Sequence, residues 1–135
     1  MAKISGGCSC GTVRFSANAD PTFVAVCHCH ACQKASGSAF AMIVAFPASA
    51  LTVSGDVTTY ASIGESGKGK HYRFCPRCGS PVSSNVDIFP DMMMIRAGAL
   101  DDPSWVRPTM EIQCNSKQPW VELGGGLQSF AKMPG

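Results

Sequence analysis

The sequence predicts a mainly β protein with one short helix, held together by metal-bound cysteines, and three observations predict it. Glycine and proline, 14 and 9 of the 135 residues, cut the chain into segments too brief for regular helices. The pieces between them either alternate with period two or form short apolar runs, and both are strand patterns. Eight cysteines fall into three tight groups with one left over, a distribution that belongs to metal binding in a reducing compartment.

Taken in chain order, Thr12-Val13-Arg14-Phe15 alternates and reads as a strand. Ala31-Cys32-Gln33-Lys34-Ala35 reads as the one helix. It begins inside a cysteine group and ends at Ser36-Gly37, because glycine supplies the left-handed conformation that closes a helix. Residues 40–46 and 92–95 are continuous apolar runs, read as strands covered on both faces. Between them, Leu51-Thr52-Val53 and Val57-Thr58-Thr59-Tyr60 flank the turn signal Ser54-Gly55-Asp56 and read as half-buried strands. Met92, Met93 and Met94 read as adaptable core packing. Residues 64–70 have the spacing of a phosphate-binding loop, but His71 stands where Ser or Thr belongs and residues 71–74 read as a strand where a helix is required. That stretch is read as a solvated, weakly basic turn.

No repeat, low-complexity tract or linker divides residues 1–135, so a single domain is expected. At this length about two thirds of the unfolded surface can be buried. Hydrophobic residues at 45% against 15% charged favour a globule over a disordered tail. A net charge of +2 gives no electrostatic ground for a nucleic-acid or membrane partner. The first residues lack an apolar stretch of signal-peptide length, and the longest apolar run stops at Pro47, well short of the roughly 20 residues that cross a bilayer. The expectation is a soluble, cytoplasmic protein.

The cysteine groups are Cys8-Ser9-Cys10-Gly11, Cys27-His28-Cys29-His30-Ala31-Cys32 and Cys75-Pro76-Arg77-Cys78-Gly79. In the last, Pro76 pre-sets a tight turn and Gly79 tolerates a positive φ, so both sulfurs converge on one ion as a zinc knuckle. A structural zinc takes four ligands, and Cys8 with Cys10 offers the second pair. Cys27, Cys29 and Cys32 then remain as three thiolates, the ligand number of a zinc site with an open fourth position. One structural zinc contributes on the order of 10–16 kcal/mol, comparable to the whole stability of a domain, so a second ion points to a chemical task. The alternative is a wholly structural pair of sites in which His28, His30 or His71 completes the second tetrahedron. In an extended segment Cys27 and Cys29 face one way while His28 and His30 face the other, towards solvent. Cys114 reads as a small buried apolar residue and is left out of the sites.

The residues 7–15, 27–37 and 74–81, with echoes at 98–103 and 116–120, closely resemble the glutathione-dependent formaldehyde-activating family, which includes centromere protein V. The resemblance implies a β-tent fold of small antiparallel sheets built around a structural zinc site. It also implies a structural ion on Cys8, Cys10, Cys75 and Cys78, a catalytic ion on Cys27, Cys29 and Cys32, and a carbon-sulfur lyase reaction joining formaldehyde to a small-molecule thiol of the glutathione type. This chain departs from many relatives in carrying Met110-Glu111-Ile112-Gln113-Cys114 in place of a histidine-containing segment. Physically, an open zinc held by three thiolates could hold a substrate thiol as a nucleophile beside a small carbonyl. The competing classes are a non-catalytic zinc module for a protein or nucleic-acid partner, and a redox-sensing thiol protein.

Overall fold

The computed structural model describes residues 4–64 and 66–134. Among these, eleven strands and one α-helix follow in order: β1 (Ile4–Gly7), β2 (Arg14–Ala17), β3 (Phe23–Cys27), α1 (His30–Ser36), β4 (Ala41–Pro47), β5 (Leu51–Ser54), β6 (Thr58–Ile63), β7 (Gly69–Phe74), β8 (Pro81–Val86), β9 (Met92–Arg96), β10 (Met110–Ile112) and β11 (Gln128–Ser129). The mainly β expectation with one short helix holds. Strands β1, β2 and β5 make a three-stranded antiparallel sheet with β2 central. The other eight make a sheet in the order β11-β10-β3-β4-β9-β8-β7-β6, antiparallel except where β10 runs parallel to β3 and to β11.

The apolar run of β4 is explained by its place near the middle of the large sheet. Val44 and Phe46 join one buried cluster with Val13, Phe15, Val82 and Ile95. Ala41 and Ile43 join a second cluster with Cys27, Cys32 and Ile112. Alternate side chains of one strand therefore serve two cores, which is why no period-two signal survives in its sequence. Each fully buried Phe, Val or Ile of these clusters stabilises the fold by about 1.5–3 kcal/mol. The methionines follow the same division: Met93 packs on the first cluster and Met94 on the second.

The structure corrects three expectations. Strand β2 begins at Arg14, two residues later than the alternation implied, because the Val13 N–H is drawn to the Cys8 sulfur at 3.2 Å instead of to a neighbouring strand. Strands β5 and β6 are largely exposed, Val53 by 52% and Tyr60 by 62%, because each lies at the edge of its sheet with one neighbour only. His28 is fully buried and not solvated. Of the loop read as a solvated turn, the described part is a tight connection between β6 and β7, with Gly64 N–H donating to Lys68 O at 2.8 Å and Gly67 N–H to Gly64 O at 3.0 Å; Glu65 lies outside the described residues. A strand follows it, as read. Among the described residues no helix is long and apolar enough to cross a membrane.

Candidate metal centre

The turn after β1 and the turn between β7 and β8 bring Cys8, Cys10, Cys75 and Cys78 together, all four sulfurs within 4.8 Å of one another. The Cys8 and Cys10 sulfurs are 3.6 Å apart, and those of Cys10 and Cys75 are 3.7 Å apart. All eight cysteines are free thiols, and these separations are far beyond a disulfide's roughly 2.05 Å. Each turn aims backbone donors at sulfur: Arg77 and Cys78 N–H donate to Cys75 Sγ at 3.3 and 3.5 Å, as Val13 N–H does to Cys8. Gly79 makes the turn possible by holding φ at 75°, its N–H reaching Cys75 O at 2.9 Å. These donors favour thiolates. The Ser80 hydroxyl and backbone draw the Cys78 thiol down to about 5, and the Val13 N–H outweighs burial to lower that of Cys8.

The second group is assembled by one strand end and one helix start. Cys27 is the last residue of β3, Cys29 caps α1, and Cys32 lies in its first turn, with the Cys32 N–H donating to Cys29 Sγ at 3.3 Å. Gly37 closes the helix in the left-handed conformation, φ 63°, as the sequence implied. The three sulfurs again lie within 4.8 Å of one another. They share protons unequally: hydrogen bonds from Cys27 and Cys32 hold the Cys29 thiol far down, while those to Cys29 and Cys32, with burial, push Cys27 far up. Both cysteine groups could hold a metal ion.

A cavity of about 300 Å³ adjoins the trio and is lined by Cys27, Cys29 and Cys32 themselves. Lys70 and Tyr72, neighbours on one face of β7, also line it. The Lys70 ammonium is 3.9 Å from Cys29 Sγ and 5.9 Å from the Tyr72 ring centre. Arg96 sits over the same ring at 6.0 Å. Burial pushes the Tyr72 phenol up, so it keeps its proton at neutral pH, and its buried hydroxyl has no protein hydrogen-bond partner among the described residues. Gln113 lines the cavity too and is the one non-glycine described residue with positive φ, 57°, a conformation that concentrates at functional sites. Neither Lys70 nor Tyr72 was singled out from sequence, although their two-residue spacing in a strand puts them on one face.

His28 and Cys114 enter a third group with Glu111. The correction to Cys114 is that it is half-buried beside a carboxylate and an imidazole, not an apolar filler. The Glu111 carboxylate of this group is already engaged: His28 Nε2 donates to Glu111 Oε1 at 2.8 Å, Lys117 Nζ reaches the same oxygen at 3.1 Å, and Ser129 Oγ donates to Glu111 Oε2 at 2.8 Å, while His28 Nδ1 is buried with no hydrogen-bond partner among the described residues. They make a buried network that fixes the stretch between Cys27 and Cys29. Gln33 braces it from the helix, donating to His28 O at 2.7 Å and Ser116 O at 3.1 Å. His30 is exposed, and His71 bonds Asp87 at 2.9 Å instead of either cysteine group.

Burial opposes ionisation of Glu111, but the bonds from Ser129, Lys117 and His28 prevail and hold its carboxyl down at about 2, against an ordinary 4.5. A depressed carboxyl contributes stability that is fully present above about pH 4.5 and is lost as pH falls from there towards 2. Glu111→Gln is therefore expected to destabilise the protein at pH 7 by about 3–5 kcal/mol, because Lys117 and His28 lose their charged acceptor. Melting temperatures of both proteins between pH 7 and 3 check this. The gap should narrow in acid, since cysteine protonation acts on both proteins alike.

Fold and sites together define a class: a mainly β protein carrying two cysteine groups able to hold metal, with all three sulfur residues of the smaller group lining one cavity. The chain belongs to the glutathione-dependent formaldehyde-activating enzyme family, whose model matches residues 3–116. Its fold is similar to the crystal structure of a Rhodobacter sphaeroides protein, with 22% identity, a TM-score of 0.57, and coverage of 77% of this chain and 91% of that one. No protein of curated function matches the sequence significantly.

Proposed function

We propose that the chain is a single-domain, zinc-dependent carbon-sulfur lyase acting on the thiol adduct of a small aldehyde. Formaldehyde and a glutathione-type thiol are the pair that the family's name carries. The observation that carries this reading is the cavity against Cys27, Cys29 and Cys32: a donor set one short of four, meeting a space where a further ligand can arrive.

The donors fit zinc. Four sulfurs each about 2.3 Å from a zinc ion form a tetrahedron with edges of about 3.8 Å. The 3.6 and 3.7 Å separations among Cys8, Cys10 and Cys75 support that geometry in the completed set with Cys78. Cys8, Cys10, Cys75 and Cys78 would hold the structural ion; Cys27, Cys29 and Cys32 would hold the catalytic one. When bound there, zinc supplies a Lewis acid that favours the thiolate form of a thiol reaching it.

In the forward direction a thiol S–H bond breaks, an S–C bond forms at the carbonyl carbon, and the carbonyl oxygen gains a proton to become a hydroxyl. The reverse is the lyase step. The Lys70 ammonium beside Cys29 stabilises negative charge on sulfur during this exchange. Tyr72, protonated at Oη, is the group in the cavity suited to deliver a proton to the carbonyl oxygen and to take it back.

The protein substituted with cobalt tests the reading. Two ions per chain are expected, one of them removed by mild chelation, and adding a small thiol should shift the ligand-field absorption of the labile one. Bands that do not move with any thiol would count against an open position. The incomplete donor set beside a cavity also favours an enzyme over a non-catalytic zinc module, whose ions would be equally inert.

A further inference from the structure

We propose that the thiol served by this site is uncharged and apolar, an alkyl or arylalkyl thiol, and that a dicarboxylate peptide thiol such as glutathione is discriminated against. This rests on reading the cysteine trio as a thiol-accepting zinc site, and it names the substrate class of that site.

The lining of the cavity is mostly apolar, with a single cation placed beside the sulfurs. Lys70 stands at Cys29, Tyr72 lies next to it on the same strand face, and Ser84, Asn85 and Gln113 are the other polar residues of the lining. The walls are supplied by Phe23, Ile43, Phe89, Met92, Met94 and Met110. The reacting atoms therefore meet protonated donors while the body of the thiol meets hydrocarbon and thioether. Methionine is unbranched and polarizable, so the walls can adapt to straight or ring-bearing chains. At about 300 Å³ the cavity is at the small end of ligand pockets.

Glutathione fits this lining poorly because of its charges. It brings two carboxylates and an ammonium, and a carboxylate taken from water needs a cation or several hydrogen-bond donors. Among the described residues that line the cavity, Lys70 is the one cation, and it is already engaged with Cys29 at 3.9 Å. Arg96 lies over the Tyr72 ring and Arg73 bonds Asn85, and neither is part of the lining. Ser84, Asn85 and Gln113 add neutral donors to the lining but no charge, so a second carboxylate would meet no cation of its own there. An apolar body, in contrast, gains about threefold to fourfold in affinity for each methylene it buries.

The test is calorimetric titration of the zinc-loaded protein with ethanethiol, propanethiol, butanethiol and 2-phenylethanethiol, set beside 4-mercaptobutanoate and glutathione, with the cobalt-substituted protein read by absorption in parallel. The expected result is an affinity that climbs about threefold to fourfold per methylene and exceeds that of 4-mercaptobutanoate and glutathione by tenfold or more. If either carboxylated thiol binds as tightly as butanethiol, or affinity is flat along the alkyl series, this proposal is overturned while the thiol-accepting site stands. Should no thiol of either kind bind or move the cobalt bands, the function proposed above falls, and this one with it.

Discussion

Cys75→Ser is expected to leave the chain unfolded at neutral pH and 25 °C. Cys75 is completely buried between the first core cluster and the four-sulfur group, and two backbone N–H groups are aimed at its sulfur. A serine hydroxyl is a weak metal ligand that keeps its proton, so the completed tetrahedron is lost with it. A structural zinc contributes on the order of 10–16 kcal/mol, and a domain's whole stability is about 5–15 kcal/mol, so nothing else in the fold can compensate. Far-ultraviolet circular dichroism with elemental analysis checks this: the variant should lose both strand signal and metal. A variant that stays folded with its zinc content intact would remove Cys75 from the ligand set.

How far the sequence alone carried can be judged residue by residue. The helix was legible because its determinants are local: a start inside a cysteine group, and Gly37 to close it. The apolar runs at β4 and β9 were legible as strands, since strand length and β-branched content are local too. The convergence of Cys8 and Cys10 with Cys75 and Cys78 was reached by counting ligands, and the sulfurs do lie together. What failed was whatever depends on partners far along the chain. The start of β2 moved because a sulfur took the Val13 N–H, a competition invisible to hydrophobic alternation. The exposure of β5 and β6 follows from which strands pair, and short exposed strands carry no pairing label. His28 looked like a solvated histidine until Glu111, 83 residues away, was brought beside it by the parallel pairing of β10 with β3. The replacement of a histidine-containing segment by residues 110–114 was noticed in the sequence, yet its consequence, a carboxylate bonded to His28, needed the fold.

Cys32→Ser is expected to behave in the opposite way to Cys75→Ser, leaving a folded protein with one zinc and almost no activity. The four-sulfur group is untouched by the change, so the structural ion proposed for it would remain. The local cost is that of burying one hydroxyl where a thiol packed, about 1–3 kcal/mol, which a domain survives. The effect on chemistry is much larger. Residues that merely orient a metal's ligands already cost tenfold to a hundredfold when lost, so removing a ligand from a set of only three should exceed about a hundredfold. Glu111→Gln supplies the comparison, because it acts on that trio only through His28 and should fall inside the smaller range. The measurement is turnover of the thiol and aldehyde pair, alongside metal content and thermal melting for each variant. If Cys32→Ser melts with Cys75→Ser, or both retain two ions, the division between a structural and a working metal is wrong; one ion retained with the fold intact ties the activity to the trio beside the cavity.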